Sequence, residues 1–145
     1  MGWENYCAFD VQGEPKGQPR PRAFVRGKRA AVYDPGTAEG WKGQIALAAR
    51  EFLPCVPLSG PIMLSVCFFF PRPQRLLRKS SPSGRIPHTA KPDIDNAIKA
   101  VMDCLTGIRM WEDDAQVVST KAEKTYAAKE QRPGALIQVF TFKEA

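Results

Sequence analysis

One mixed α/β domain, α+β in arrangement, is what this sequence predicts, and three observations predict it. The chain is 145 residues long, enough to bury one core and too short for two. Its composition, 43% apolar and 25% charged, is that of a globular protein rather than a disordered one. Short apolar stretches bounded by Gly and Pro are interspersed with two segments of helical spacing. The expected order is β-ββ-α-β-α-β-β, a mixed sheet with two main helices in a single domain over residues 1–145.

The elements follow in order. Asn5 to Val11 alternates apolar and polar residues and reads as a strand. Gly13 to Pro21 is too rich in Gly and Pro for regular structure. Ala23–Val25 and Ala30–Tyr33 flank a basic turn at Gly27-Lys28, which predicts a hairpin. After a turn at Asp34-Pro35-Gly36, with Thr37 as the expected N-cap, Trp41, Ile45, Ala48 and Phe52 recur at helical spacing until Pro54 ends the run. Pro61 to Phe70 predicts a buried strand, with Phe68, Phe69 and Phe70 in the core. Pro71 to Ala90 is a long polar loop, and a loop of that length in a small domain points to function. Ile94, Ile98, Val101, Met102 and Leu105 mark one apolar face of a second helix, with Gly107 as its C-terminal cap. Gln116–Lys124 and Ala135–Phe142 read as closing strands.

Apolar runs are too short to span a bilayer, and no basic-then-apolar leader opens the chain, so a cytoplasmic protein with no membrane contact is expected. Cys7, Cys55, Cys67 and Cys104 show no metal-binding spacing and read as reduced, mostly buried thiols.

Charge is laid out unevenly. Lys plus Arg number 21 against 15 Asp plus Glu, a net charge of +6, which suggests a polyanionic partner. From Glu14 to Tyr33 the bases Lys16, Arg20, Arg22, Arg26, Lys28 and Arg29 face a single acid. Between Pro71 and Lys91 the bases Arg72, Arg75, Arg78, Lys79, Arg85 and Lys91 face none. From Asp93 to Asp114 the acids Asp93, Asp95, Asp103, Glu112, Asp113 and Asp114 face only Lys99 and Arg109. Basic flanks can hold phosphates, whereas clustered carboxylates repel them unless a cation lies between. Arg72, Arg75, Arg78, Lys79 and Arg85 are the expected phosphate contacts, with Lys91 beside them.

Asp93 follows Pro92 at the entrance of the second helix, where its side chain can cap a backbone N–H, and Asp95 sits in the first turn, where the helix dipole favours negative charge. Two residues apart across that entry, both carboxylates can also point into one space. Lys99, four residues after Asp95, reads either as its i,i+4 partner or as a phosphate contact. Trp111-Glu112-Asp113-Asp114 is a second acidic cluster, ordinarily a solvated turn. If that turn folds back over the helix start, Asp113 or Asp114 becomes a third carboxylate, and three oxygen donors suit a hard cation such as Mg²⁺. Such an ion activates water and neutralises charge at phosphorus during phosphodiester cleavage. His88, the single histidine, reads as a surface residue, with a contact to phosphate or water as the alternative, and Trp111 as a buried lid over the site.

At these residues the sequence resembles the RusA family of Holliday junction resolvases. The resemblance rests on Lys91-Pro92-Asp93-Ile94-Asp95-Asn96 with Lys99, then Asp103, Leu105, Thr106 and Gly107, then Trp111 and Asp113-Asp114-Ala115-Gln116-Val117. Pro15-Lys16-Gly17-Gln18-Pro19-Arg20-Pro21-Arg22 and Tyr33-Asp34-Pro35 extend it towards the N-terminus. It implies a homodimer that binds four-way junction DNA and nicks two strands symmetrically with Mg²⁺, Mn²⁺ serving as a substitute, and with no small-molecule cofactor. It also implies Asp93, Asp95 and Asp114 as metal-binding catalytic carboxylates, Lys99 as the catalytic lysine, and Lys16, Arg20 and Arg22 as DNA contacts. The chain departs from the family pattern at Ala97, where a bulkier apolar residue is usual, and in the spacing of its early arginines. Two other functions remain to be separated from this one: a non-catalytic DNA-binding module with a structural ion, and a nuclease for other branched DNA.

Overall fold

The computed structural model describes residues 1–18 and 38–144, together with the backbone of two strands at 22–26 and 29–33. The expected turns at Gly27-Lys28 and Asp34-Pro35-Gly36, and Thr37, lie outside the described residues. Strand β1 runs Gly2–Gln12, and β2 (Arg22–Arg26) pairs with β3 (Arg29–Tyr33) as the expected antiparallel hairpin. Helix α1 spans Glu39–Ala49, β4 Ile62–Phe70, β5 only Ile86–Pro87, α2 Ile94–Gly107, β6 Val117–Tyr126 and β7 Gly134–Lys143. The expected class and element order hold, with β5 as the addition.

The main sheet has the order β1-β7-β4-β6-β5. All its pairs are antiparallel except β4 with β6. That parallel pair needs a crossover, and the connection carries the polar loop, β5 and α2. Both helices pack together, α1 also on β1 and α2 also on β6. Strand β4 lies in the centre, and its alternate residues Ile62, Leu64, Val66, Phe68 and Phe70 are buried with Ile137 and Val139 of β7.

In α1 the buried positions are Trp41, Ile45 and Ala49, so the turn ends one residue later than the Ala48 spacing implies. Ala38 occupies the N-cap position of α1. In α2 the buried stripe is Ala97, Ala100, Val101, Cys104 and Leu105. Ile94 is instead exposed, and Ile98 and Met102 lie at the core's margin. Small alanines let α2 approach closely, which turns the larger side chains outward. Gly107 is still helical, and the left-handed residue beyond the helix is Arg109, at φ 70°. Cys7 and Cys104 are buried as expected, Cys67 is partly covered and Cys55 is exposed. Among the described residues no helix is long and apolar enough to cross a membrane.

Candidate active site

Asp93 occupies the N-cap position of α2, and its backbone carbonyl accepts the N–H of Ala97 at 3.0 Å. Its side chain makes no cap hydrogen bond; Lys91 Nζ instead lies 2.8 Å from Asp93 Oδ1. The carboxylate is thus turned outward toward a cation rather than inward onto the helix. Asp95 sits exposed in the first turn, at the positive end of the helix dipole.

Three tethers fix the approach to this turn. Lys124 Nζ, from β6, donates to the carbonyls of Ala90 at 2.8 Å and Pro92 at 2.6 Å. The backbone N–H of His88 donates to Lys124 O at 3.1 Å. From the other side, Gln18 N–H donates to Asn96 O at 2.9 Å, laying residues 14–18 across the start of α2. That crossing requires glycine at position 17: a Cβ there would stand 2.9 Å from Pro92 Cβ and 3.2 Å from Asn96 Cβ. The crossing segment and the loop before α2 enclose a cleft of about 310 Å³ whose lining includes Lys16, Lys91, Phe70 and His88. Lys16 also pairs with Glu14 at 3.4 Å.

His88 is 8% exposed, not the surface residue expected. Its ring stacks on Phe70 with centroids 3.9 Å apart and meets the edge of Tyr126 at 4.7 Å. Burial pushes its pKa below the ordinary value of 6.5, and the nearby Lys124 charge pushes the same way. The imidazole is therefore neutral at pH 7 and serves as a wall of the cleft.

The second acidic cluster lies elsewhere. Trp111, fully buried, donates from Nε1 to Thr106 Oγ1 at 2.7 Å, and the Thr106 hydroxyl donates to Asp114 Oδ1. Asp113 accepts from Ala115 N–H at 2.8 Å. Gln116 Oε1 accepts from the backbone N–H of Glu112 at 2.9 Å and of Asp113 at 3.1 Å. Its Nε2 donates to Leu58 O and Gly60 O. The D-D-x-Q spacing is thus a reciprocal cap on a short 3₁₀ turn, Asp114–Gln116. This turn is anchored at Thr106, near the C-terminal end of α2. Eleven residues of helix separate Asp95 from Thr106, a rise of about 16 Å. The turn does not fold back over the helix start. Neither Asp113 nor Asp114 joins Asp93 and Asp95 within one chain, and Trp111 covers the far end rather than the carboxylate pair. Among the described residues no three or more His, Cys, Asp or Glu gather closely enough to hold a metal ion.

Lys99 Nζ lies 3.4 Å from Asp103 Oδ1, so its i,i+4 partner is the next acid along, not Asp95. Arg72 is not a phosphate contact. Its guanidinium donates to the carbonyls of Ala127 at 2.8 Å, Leu76 at 2.9 Å, Pro82 at 2.7 Å and Gly84, and holds the polar loop together. Arg75, Arg78 and Lys79 stand exposed on that loop, as does Lys91 beyond it. Arg85 lies 4.3 Å over the ring of Phe69 and donates to Gln131 Oε1 at 3.3 Å, leaving part of its guanidinium outward. Arg20 lies outside the described residues, and Arg22 is described only as the first residue of β2. Sequence reasoning missed Lys124 altogether and read Thr106 and Gln116 only as members of the family motif, because the groups that Lys124 and Gln116 hold are remote in the chain and the turn that Thr106 anchors has no periodicity to reveal it.

Residues 12–139 match the family model described as endodeoxyribonuclease RusA. The chain is 33% identical over 124 residues to the uncharacterized protein YqaN of Bacillus subtilis (strain 168), a span covering 82% of this chain and 87% of that one. It is 29% identical over 100 residues to the crossover junction endodeoxyribonuclease rusA of Lactococcus phage r1t, covering 69% and 71% of the two chains.

Proposed function

This chain belongs to the RusA endodeoxyribonuclease family, and from that premise we propose that it is a cytoplasmic homodimer that resolves four-way DNA junctions, with Asp93 and Asp95 holding Mg²⁺ at the phosphate to be cut. Family membership sets aside the non-catalytic module. The observation that carries the site assignment is the pair of solvent-accessible carboxylates at the start of α2, Asp93 at the N-cap and Asp95 in the first turn, beside a lysine-lined cleft. Its donor set suits Mg²⁺, which commonly binds through one or two carboxylates with phosphate and water completing its shell. When bound, such an ion supplies an activated water and charge neutralisation at phosphorus.

Hydrolysis requires that water's oxygen form a new P–O bond while one bridging P–O bond breaks and the departing alkoxide takes a proton. The chain's own residues arrange this. Lys16 and Lys91 line the cleft as phosphate anchors, and Arg75, Arg78, Lys79 and Arg85 extend the basic surface along the loop. Lys124 holds the Pro92 carbonyl and thereby the entry from which Asp93 projects. Neutral His88 stacked on Phe70 keeps the cleft floor rigid and apolar. Lys99, one turn beyond Asp95 and 59% exposed at its side chain, is placed to leave Asp103 for the developing negative charge.

The test is cleavage of a mobile four-way junction, a flap and a linear duplex of equal length, with Mg²⁺ or with EDTA. Paired nicks in the junction in Mg²⁺ alone are expected. Asp93→Asn and Asp95→Asn should each lower nicking at least a hundredfold while gel-shift affinity stays within a few-fold. Asn variants that cut at the wild-type rate refute the assignment, and preferential cutting of the flap refutes the junction as substrate.

A further inference from the structure

We propose that the cleft beside the Asp93–Asp95 turn seats one unpaired nucleobase of the bound DNA, with His88 as its polar contact. This deepens the reading above and rests on it: the two carboxylates act at a phosphate, and the cleft takes the base next to that phosphate.

His88 carries the argument. It is more than nine-tenths buried, yet it lines the cleft together with Phe70. Its Nδ1 is buried with no hydrogen-bond partner. Three described side chains have such an atom, Gln18 Oε1, Trp41 Nε1 and His88 Nδ1, and of these only His88 belongs to the cleft lining. A buried polar atom left unpaired destabilises a fold. Phenylalanine here would stack on Phe70 equally well and leave nothing unpaired, so packing alone gives no reason for an imidazole. The ring is held by Phe70, at 3.9 Å between centroids, and by the edge of Tyr126 at 4.7 Å. Fixed in this way at the cleft wall, it has polar capacity that a ligand in the cleft can use.

The rest of the lining says which ligand. At about 310 Å³ the cleft is at the small end of the roughly 300–1,000 Å³ usual for small-molecule sites, a size for one base rather than a duplex. Its floor is Phe70, Pro71 and the His88 ring, the kind of aromatic surface on which bases stack whatever their sequence. Its charge is at the rim. Lys16 pairs there with Glu14, the single acid of the lining, at 3.4 Å, and Lys91 reaches Asp93 at 2.8 Å. A phosphate on this floor would be desolvated against apolar side chains. A neutral planar base is not, and its own phosphate stays outside with the lysines. Lys91 and Pro92 immediately precede Asp93, so the backbone of that nucleotide lies beside the carboxylate pair. Extruding a base from intact duplex costs unpairing and unstacking, and the cost is least where the base is already free. The cleft thereby ties nicking to a base released at a branch point.

The experiment measures binding in EDTA at one salt concentration, so that no strand is cut. Three linear duplexes of equal length are compared: fully paired, with a single-nucleotide bulge, and with the same bulge made abasic. The bulge that keeps its base should bind about tenfold more tightly than the abasic one, although their phosphates are identical. His88→Phe keeps the ring and removes its nitrogens. It should reduce that ratio to about twofold while the melting temperature stays level or rises. A histidine with a purely structural role would do the reverse, lowering the melting temperature and sparing the ratio. In protein labelled with ¹⁵N-histidine, the single imidazole should shift on adding the bulge with its base and stay in place with the abasic one.

Equal affinity for the two bulges overturns the proposal. So does an imidazole signal indifferent to the base, or a His88→Phe variant that keeps the full ratio. All three are read without cleavage and leave the nuclease reading standing. A wild type that nicks no four-way junction in Mg²⁺ or Mn²⁺ overturns that reading instead, and removes the cut phosphate from beside the cleft.

Discussion

Lys124 should be the most informative single position outside the carboxylates, because one ammonium connects the sheet, the histidine and the helix entrance. In Lys124→Met the carbonyls of Pro92 and Ala90 lose donors at 2.6 and 2.8 Å. A hydrogen bond to a charged group contributes about 1.5–3 kcal/mol, and the Ala90 bond is exposed and worth less. A net loss of about 2–3 kcal/mol follows, which lowers Tm by roughly 5–10 °C in a domain of this size. The same charge helps depress His88, so its removal raises that pKa. Burial is the larger cause, so the value stays below 6.5. As the single histidine of the chain, His88 gives one imidazole resonance to follow by proton NMR against pH. Release of the Pro92 carbonyl also frees the entry to Asp93. Since a displacement of about 1 Å at a reacting centre costs on the order of a hundredfold, nicking should fall between tenfold and a hundredfold. A His88 pKa equal to or below the wild-type value, with melting and nicking unchanged, would refute this account of the entrance.

Wild-type stability should hold above about pH 6.5 and decline as the pH drops below it, because the unfolded chain protonates its histidine before the depressed His88 does; His88→Leu should flatten that slope in urea titrations. Arg72→Met should cost about 2–4 kcal/mol, since it leaves several carbonyls without donors, yet leave the salt dependence of DNA binding unaltered. Arg75→Met should do the reverse, changing melting little and making the plot of log affinity against log salt shallower by about one unit. In Gly17→Ala the new Cβ must displace Pro92, so nicking should drop while the melting temperature shifts by only a few degrees, about 1–2 kcal/mol. Normal nicking in that variant would mean the crossing segment does not position the site.

Much of the fold was legible because its strongest signals are local. A nine-residue run between prolines, apolar except for Ser65, marked β4, and the spacing of Trp41 and Ile45 marked α1. The misplacements share a cause, which is that burial is decided by what lies opposite. Ala97 and Ala100 are buried because α2 sits close to the core, and no hydrophobicity pattern ranks alanine above Ile94. Arg72 and Arg75 are indistinguishable in a basic loop until four carbonyls converge on one of them. His88 looks polar and loop-borne, yet β5 carries it against Phe70.

The carboxylates fail the same test more instructively. Asp93 and Asp95 lie in one motif and Asp114 in a second beyond the helix, and the family resemblance joins the two into a single cluster. A 14-residue helix intervenes, however, and a helix is a rigid spacer of about 21 Å. Residues at its two ends can share an ion only if something reverses direction between them. Within one chain the segment after α2 is pinned at Thr106 by the Trp111–Thr106–Asp114 network and cannot do so.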